Sequence, residues 1–246
     1  MQNQYSSQER TATQFNAGEF VTDGIAPPMA VADRGRFIVR TYLHLFGAVL
    51  AFVGIEAAIF ASGFHVTITD SMLSVSWLVP LGAFVLVSYI ATRFAHTAGS
   101  LPAQYLGLGL FVVAEAFIFV PLLTIANAYA PGAIQSAALC TLLGFGGLTL
   151  VAFGTRKDFS FLGGVLGFSL VCAMVAIVAS VIFGFELGTL FSIAMVVVAG
   201  AYILYDTSNV LHHYPSDRYV AASLQLFASV ALMLWYLLRI FMAARR

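Results

Sequence analysis

FLGGVLGFSLVCAMVAIVASVIFG, residues 161–184, holds no Asp, Glu, Lys, Arg or His. It is longer than the roughly 20 residues an α-helix needs to cross the hydrocarbon core of a bilayer. Its backbone can satisfy every hydrogen bond internally as a helix, which an apolar solvent demands. Six further apolar stretches share this character, at about 37–62, 72–94, 101–127, 132–154, 187–211 and 219–243. The sequence is therefore expected to form an all-α polytopic membrane protein of seven spans. Short connections make consecutive helices antiparallel neighbours.

Composition agrees. Of 246 residues, 61% are hydrophobic and 9% charged, against roughly a quarter charged in soluble domains. The surface that so few charges leave uncovered is one a lipid bilayer can cover. Lys plus Arg and Asp plus Glu number 11 each, and there is no basic block, so no nucleic acid is expected as a partner. Cys140 and Cys172 both fall inside apolar runs, where a structural disulfide is not expected. Residues 1–36 read as a polar tail containing Pro27-Pro28, and the first apolar run begins only near Phe37. A secretory signal would place its apolar region earlier, so none is expected.

Orientation follows from the basic residues. Arg34, Arg36 and Arg40 flank the first span, Arg93 the second connection, Arg156 and Lys157 the fourth, and Arg218 the sixth. The first, third and fifth connections carry no Lys or Arg. The tail is thus expected in the cytoplasm. Arg239, Arg245 and Arg246 at the other end disagree, leaving open whether the last segment crosses completely.

Three acids lie well inside apolar runs: Glu56, Glu115 and Asp206. An ionisable group at mid-membrane costs about 2.5–3.5 kcal/mol on insertion scales, and such groups mark ion or proton pathways. Span direction places Glu56 in the outer third, Glu115 near the middle and Asp206 toward the cytoplasmic side. Together they describe a stepped polar route, provided all three face inward. The alternatives are hydration of Asp206 and Glu56 near the interfaces and a protonated Glu115 bonded to a neighbouring helix. Arg40, His44 and Arg93 lie at a depth to pair with Asp206, although Arg40 and Arg93 can instead reach the headgroups.

Adjacent His212 and His213 point about 100° apart on a helix and lack accompanying acids or cysteines. They suit a helix C-terminus better than a metal, and no metal site is assigned. Pro80 and Pro121 are expected inside helices, where each frees a carbonyl and invites a kink. Pro121 would do so just beyond Glu115, making a polar cavity there plausible. Gly144, Gly146, Gly147, Gly163, Gly164 and Gly167 read as close-packing positions. No spacing of Ser, His and Asp, no phosphate loop and no metal signature points to catalysis, so the chain is not expected to be an enzyme or to carry a cofactor.

TRKDFSFLGG (155–164) and GAYILYDTSNVLHHYPSDRYVAA (200–222) resemble the Bax inhibitor-1 family, also called TMBIM, over roughly residues 37–243. Within it the chain looks closest to bacterial YccA-like modulators of the FtsH membrane protease. The resemblance implies a bundle in which the last helix is surrounded by the other six. It also implies a pH-sensitive calcium leak, calcium being the transported ion rather than a bound cofactor. There an Asp of the sixth span pairs with an Asp of the seventh. Asp206 matches the first. Counting back from LLRIF places the second at Ser229, and residues 220–242 contain no Asp or Glu. Gln225 and Ser229 remain as oxygen donors. Two functions are expected as alternatives: a cation leak centred on Asp206, or modulation of a membrane-bound AAA protease or another membrane complex.

Overall fold

A computed structural model describes residues 31–97 and 100–245. Residues 1–30, most of the expected polar tail, lie outside the described residues. The described residues are helical apart from short connections. In chain order the helices are α1 (Val31–Ala61), α2 (Phe64–Leu73), α3 (Leu78–Ala95), α4 (Leu101–Tyr129), α5 (Ala133–Thr155), α6 (Leu162–Phe183), α7 (Gly188–His212) and α8 (Tyr219–Ala244). All but α2 are long and apolar enough to cross a membrane, so the seven expected spans are present and the chain is an integral membrane protein.

The first connection departs from expectation. Residues read as a loop running into the second span form α2, a separate helix of ten residues. Gly63 takes φ +77°, a left-handed conformation that ends α1 and is open to glycine without steric cost. His65 then stacks on Phe60 at 4.4 Å, and Thr69 Oγ1 donates to Thr124 Oγ1 at 3.2 Å, fastening α2 to α4. The second span accordingly begins at Leu78 rather than near residue 72. Pro80 falls in the first turn of α3, where its missing N–H has no intrahelical partner to lose. No kink is required there. Pro121 does lie inside α4.

The last helix is central. It packs against α1, α3, α4, α5 and α7, while α6 leans chiefly on α7. Five consecutive residues of α8, Val220 to Leu224, are buried. Successive helical side chains point about 100° apart, so such a run is enclosed on every side. By contrast α6 leaves Phe168, Val171 and Val175 exposed, as befits a lipid-facing helix. Arg218, at the start of α8, donates to the His96 carbonyl. Arg245, at its end, donates through Nη2 to Ser136 Oγ at 3.2 Å, at the start of α5. The two anchors lie at opposite ends of the bundle, so α8 runs its full length.

Lipid is as apolar as leucine, so helices associate through close packing rather than the hydrophobic effect. The tightest crossing joins α3 and α4: a Cβ on Gly107 would lie 2.5 Å from both the Ala91 oxygen and the Ala95 nitrogen. Among the glycines expected to pack, Gly144 meets Met233 and Gly163 meets the Tyr205 ring, whereas Gly146, Gly147, Gly164 and Gly167 have nothing within 4 Å.

Candidate functional site

The buried stripe of α7 includes Ile203, Asp206, Thr207 and Val210, turned toward α8. Asp206 is 5% exposed and Ser229, facing it from α8, equally so. The Ser229 hydroxyl donates to Asp206 Oδ2. The sixth span's acid and the matching position of the seventh are thus brought together, with a hydroxyl in place of a second carboxyl. Asp206 stands six residues before the end of α7, about 9 Å at 1.5 Å per residue.

A cavity of about 910 Å³ opens on the other side of Ser229. The oxygen-bearing residues Glu115, Tyr202, Gln225 and Ser229 border it, and Pro121 lies on it as well, at the place where the sequence suggested a polar cavity, although most of the wall is apolar. The cavity reaches along α8 from Gln225 to Arg239 and Met242, which lie at the end opposite the α7–α8 connection. Asp206 is not on its wall; Ser229 stands between the carboxylate and the open space. The arrangement is a vestibule with the hydrogen-bonded pair set against its wall.

Glu56 is elsewhere. It is buried on α1, neither carboxylate oxygen has a hydrogen-bond partner, and it does not line the cavity. The three acids therefore do not share one cavity: Glu115 borders it, Asp206 lies behind Ser229, and Glu56 stands apart.

The expected basic partners of Asp206 are also engaged otherwise. Arg40 lies over the Tyr219 ring at 5.7 Å. His44 joins Arg40 O at 2.7 Å through Nδ1 and the Tyr105 hydroxyl at 2.8 Å through Nε2. Arg93 donates to the Tyr89 hydroxyl at 2.9 and 3.1 Å. Among the described residues no ion pair involves Asp206. Arg93 lies on an exposed face with α3 turned to lipid, and Arg40 opens onto a surface cleft beside Asp33 and Asp217. Long basic stems place both charges away from the bundle interior.

What seals the far side of Asp206 was not legible in the sequence. Arg34, read as part of the tail, is helical and donates to the Tyr214 carbonyl at 2.7 Å, satisfying backbone beyond the end of α7. Gln104 Nε2 donates to Asp217 O at 3.2 Å, and Phe37 stacks on Tyr214 at 6.3 Å. The α5–α6 connection adds a latch. Ser208, two residues beyond Asp206, accepts from the Phe159 N–H at 2.8 Å and donates to Asp158 at 3.3 Å. Asp158 Oδ2 lies 2.9 Å from His213 Nε2, and His212 Nδ1 meets Ser208 O at 3.0 Å. Both histidines thus hold the end of α7. The Asp158 carboxyl is kept well below the usual carboxylate range, first by the backbone N–H and side chain of Ser160 and then by His213. A depressed carboxylate contributes above its ordinary pKa and loses that contribution as pH falls through the folded value, so Asp158 keeps its part in the latch at neutral pH.

Comparison with known proteins agrees with this architecture. The family model described as Inhibitor of apoptosis-promoting Bax1 matches residues 34–246. Protein LIFEGUARD 4 of Arabidopsis thaliana is 32% identical over 151 residues, 58% of this chain and 59% of that protein. Bax inhibitor 1 of Schizosaccharomyces pombe is 34% identical over 134 residues, 52% of this chain and 48% of its own length. The modulator of FtsH protease YccA of Escherichia coli is 31% identical over 96 residues, 36% and 43% of the two chains. The chain thus spans about half the length of the curated relatives it matches. The family match begins at Arg34, the α1 residue that holds the α7–α8 connection, and takes in the rest of α1 and the other seven helices together with the Asp206–Ser229 pair: the chain belongs to the Bax inhibitor family.

Proposed function

We propose that this protein is a regulated cation leak, with calcium as the ion, whose constriction is the Asp206–Ser229 pair. The observation that carries the reading is the position of Ser229, which borders the cavity on one side and bonds the buried carboxylate on the other. A carboxylate is a hard oxygen ligand suited to a divalent cation. Glu115, Gln225 and the Tyr202 hydroxyl give an entering ion successive oxygen contacts. Breaking the Ser229 bond exposes the carboxylate to the vestibule, and parting the α7–α8 connection, a strap held by Arg34 and Gln104, opens the other side. In the positive-inside orientation the strap is cytoplasmic and the vestibule faces the opposite compartment; a bacterial inner membrane is the proposed location.

A second reading has its own support. Similarity to a modulator of the FtsH protease favours a membrane-embedded modulator of a protease, acting through residues 1–36 or a helix face. Liposomes loaded with a calcium indicator and carrying the purified chain separate the two. Calcium entry above that of protein-free liposomes is expected. Entry equal to the protein-free rate, with altered turnover of protease substrates in cells lacking the protein, would establish the modulator reading instead.

A further inference from the structure

The vestibule also opens sideways. Val85 of α3 and Met174 and Ile177 of α6 both border it, yet α3 packs on α4 and α8 while α6 leans on α7, and the two form no packed interface with each other. The gap between them faces the hydrocarbon of the bilayer. Apart from the oxygens near Ser229 and the side chains of Ser88, Ser180, Glu186, Thr189 and Ser192, the wall is mainly Leu, Ile, Val, Phe and Met. An empty space along those apolar stretches would forfeit the dispersion contacts of its lining. Hydrocarbon from the bilayer restores them.

The rim supplies a charge. Arg239 borders the cavity toward the end of α8. Its guanidinium lies 5.9 Å from the Tyr236 ring centroid and joins no ion pair among the described residues, Glu186 on the same rim included. A guanidinium matches a phosphate in geometry as well as charge. From Arg239 to Gln225 is 14 residues of α8, about 21 Å at 1.5 Å per residue. One leaflet contributes about half of the roughly 30 Å hydrocarbon core, so this length holds a glycerophosphate and most of one chain. We propose that the slot between α3 and α6 is a phospholipid site, in which one acyl chain enters laterally and Arg239 holds the phosphate. The lipid would occupy the vestibule of the proposed leak and so occlude it, but the site does not rest on the leak, because binding is read with no ion present.

The chain's two tryptophans, Trp77 and Trp235, both border the slot and stack at 6.3 Å, giving an intrinsic probe. Purified protein in detergent would be titrated with a phosphatidylglycerol brominated on its acyl chains, since bromine quenches tryptophan on contact. Saturable quenching that completes near one lipid per chain is expected. Arg239→Gln should raise the half-saturating concentration about tenfold or more, the loss of one charge-assisted hydrogen bond. Ala228→Phe, which fills the slot from α8, should abolish the saturable phase. Ile177→Phe does the same from α6 and serves if the first variant loses helical circular dichroism. Quenching that rises linearly with lipid, or saturable quenching unchanged by both filling variants, would show contact with surrounding lipid only. A brominated fatty acid methyl ester binding as tightly as the phospholipid would overturn the phosphate contact.

Discussion

Asp206→Asn is expected to lower calcium entry into liposomes at least tenfold and to remove most of its pH dependence. Asparagine keeps the acceptor for Ser229 and nearly the same shape, so the fold and the closed pair persist while the charge is lost. A cation 4 Å from a carboxylate gains about 4 kcal/mol at an effective dielectric near 20; a third of that already corresponds to about tenfold. Glu115 remains in the vestibule and accounts for any residual pH response. Ser229→Asp should act in the opposite sense. It places a second carboxyl against Asp206, and two carboxyls at such a distance titrate as a coupled pair. With one shared proton they hold together; as both ionise they repel, so entry should rise steeply with pH. Indicator-loaded liposomes, assayed across pH for wild type and both variants, give the comparison. Equal rates in all three at every pH would remove Asp206 from the path.

Gly107→Val is expected to be among the most damaging single substitutions in the bundle. The Ala91 oxygen and Ala95 nitrogen that a Cβ would meet at 2.5 Å are main-chain atoms, so no side-chain rotation relieves the clash and α3 must move off α4. Overpacking costs typically about 1–3 kcal/mol, and displacement of a whole helix places this case at the upper end or above. Gly109, two residues on, has nothing within 4 Å, and Gly109→Ala should leave stability unchanged or slightly raised, since alanine favours the helix. Thermal unfolding in detergent, followed by tryptophan fluorescence, compares the two. Similar midpoints for Gly107→Val and Gly109→Ala would contradict the close crossing of α3 and α4.

The spans were legible because burial in lipid leaves a one-dimensional signal: a run of some 20 residues without charge. α2 gave no such signal. FHVTITDSML mixes polar and apolar residues over ten positions, and only the left-handed turn at Gly63 and the Thr69–Thr124 bond define it. Ser229 was found by register, counting along a helix from a recognisable ending. Its bond to Asp206 depends on the rotation of α7 against α8, which apolar spacing on two mostly enclosed helices does not specify. Glu56 shows the converse. Its cost in lipid marks it as unusual as clearly as Glu115, but depth alone could not tell that it stands outside the cavity. The direction of the basic residues stayed open for a related reason. Arg40 and Arg93 share a level with Asp206 along the bilayer normal, and that level says nothing of the direction each faces. Arg34 read as tail because a charged first turn breaks the apolar run, although a helix projecting past the hydrocarbon keeps its own hydrogen bonds. The latch of Asp158, Ser208 and His213 joins positions some 50 residues apart in sequence, and no local pattern links them.

A double-mutant cycle on calcium entry tests the central pair most directly. Ser229→Ala removes the hydroxyl that bonds the carboxylate and should raise entry in the wild-type background. In an Asp206→Ala background, where there is no carboxylate to hold, Ser229→Ala should change nothing. Sites that act independently add to within about 0.3–0.5 kcal/mol. The expected result is a strong departure from additivity; the same fold-change for Ser229→Ala in both backgrounds would show that the Asp206–Ser229 bond does not gate the path.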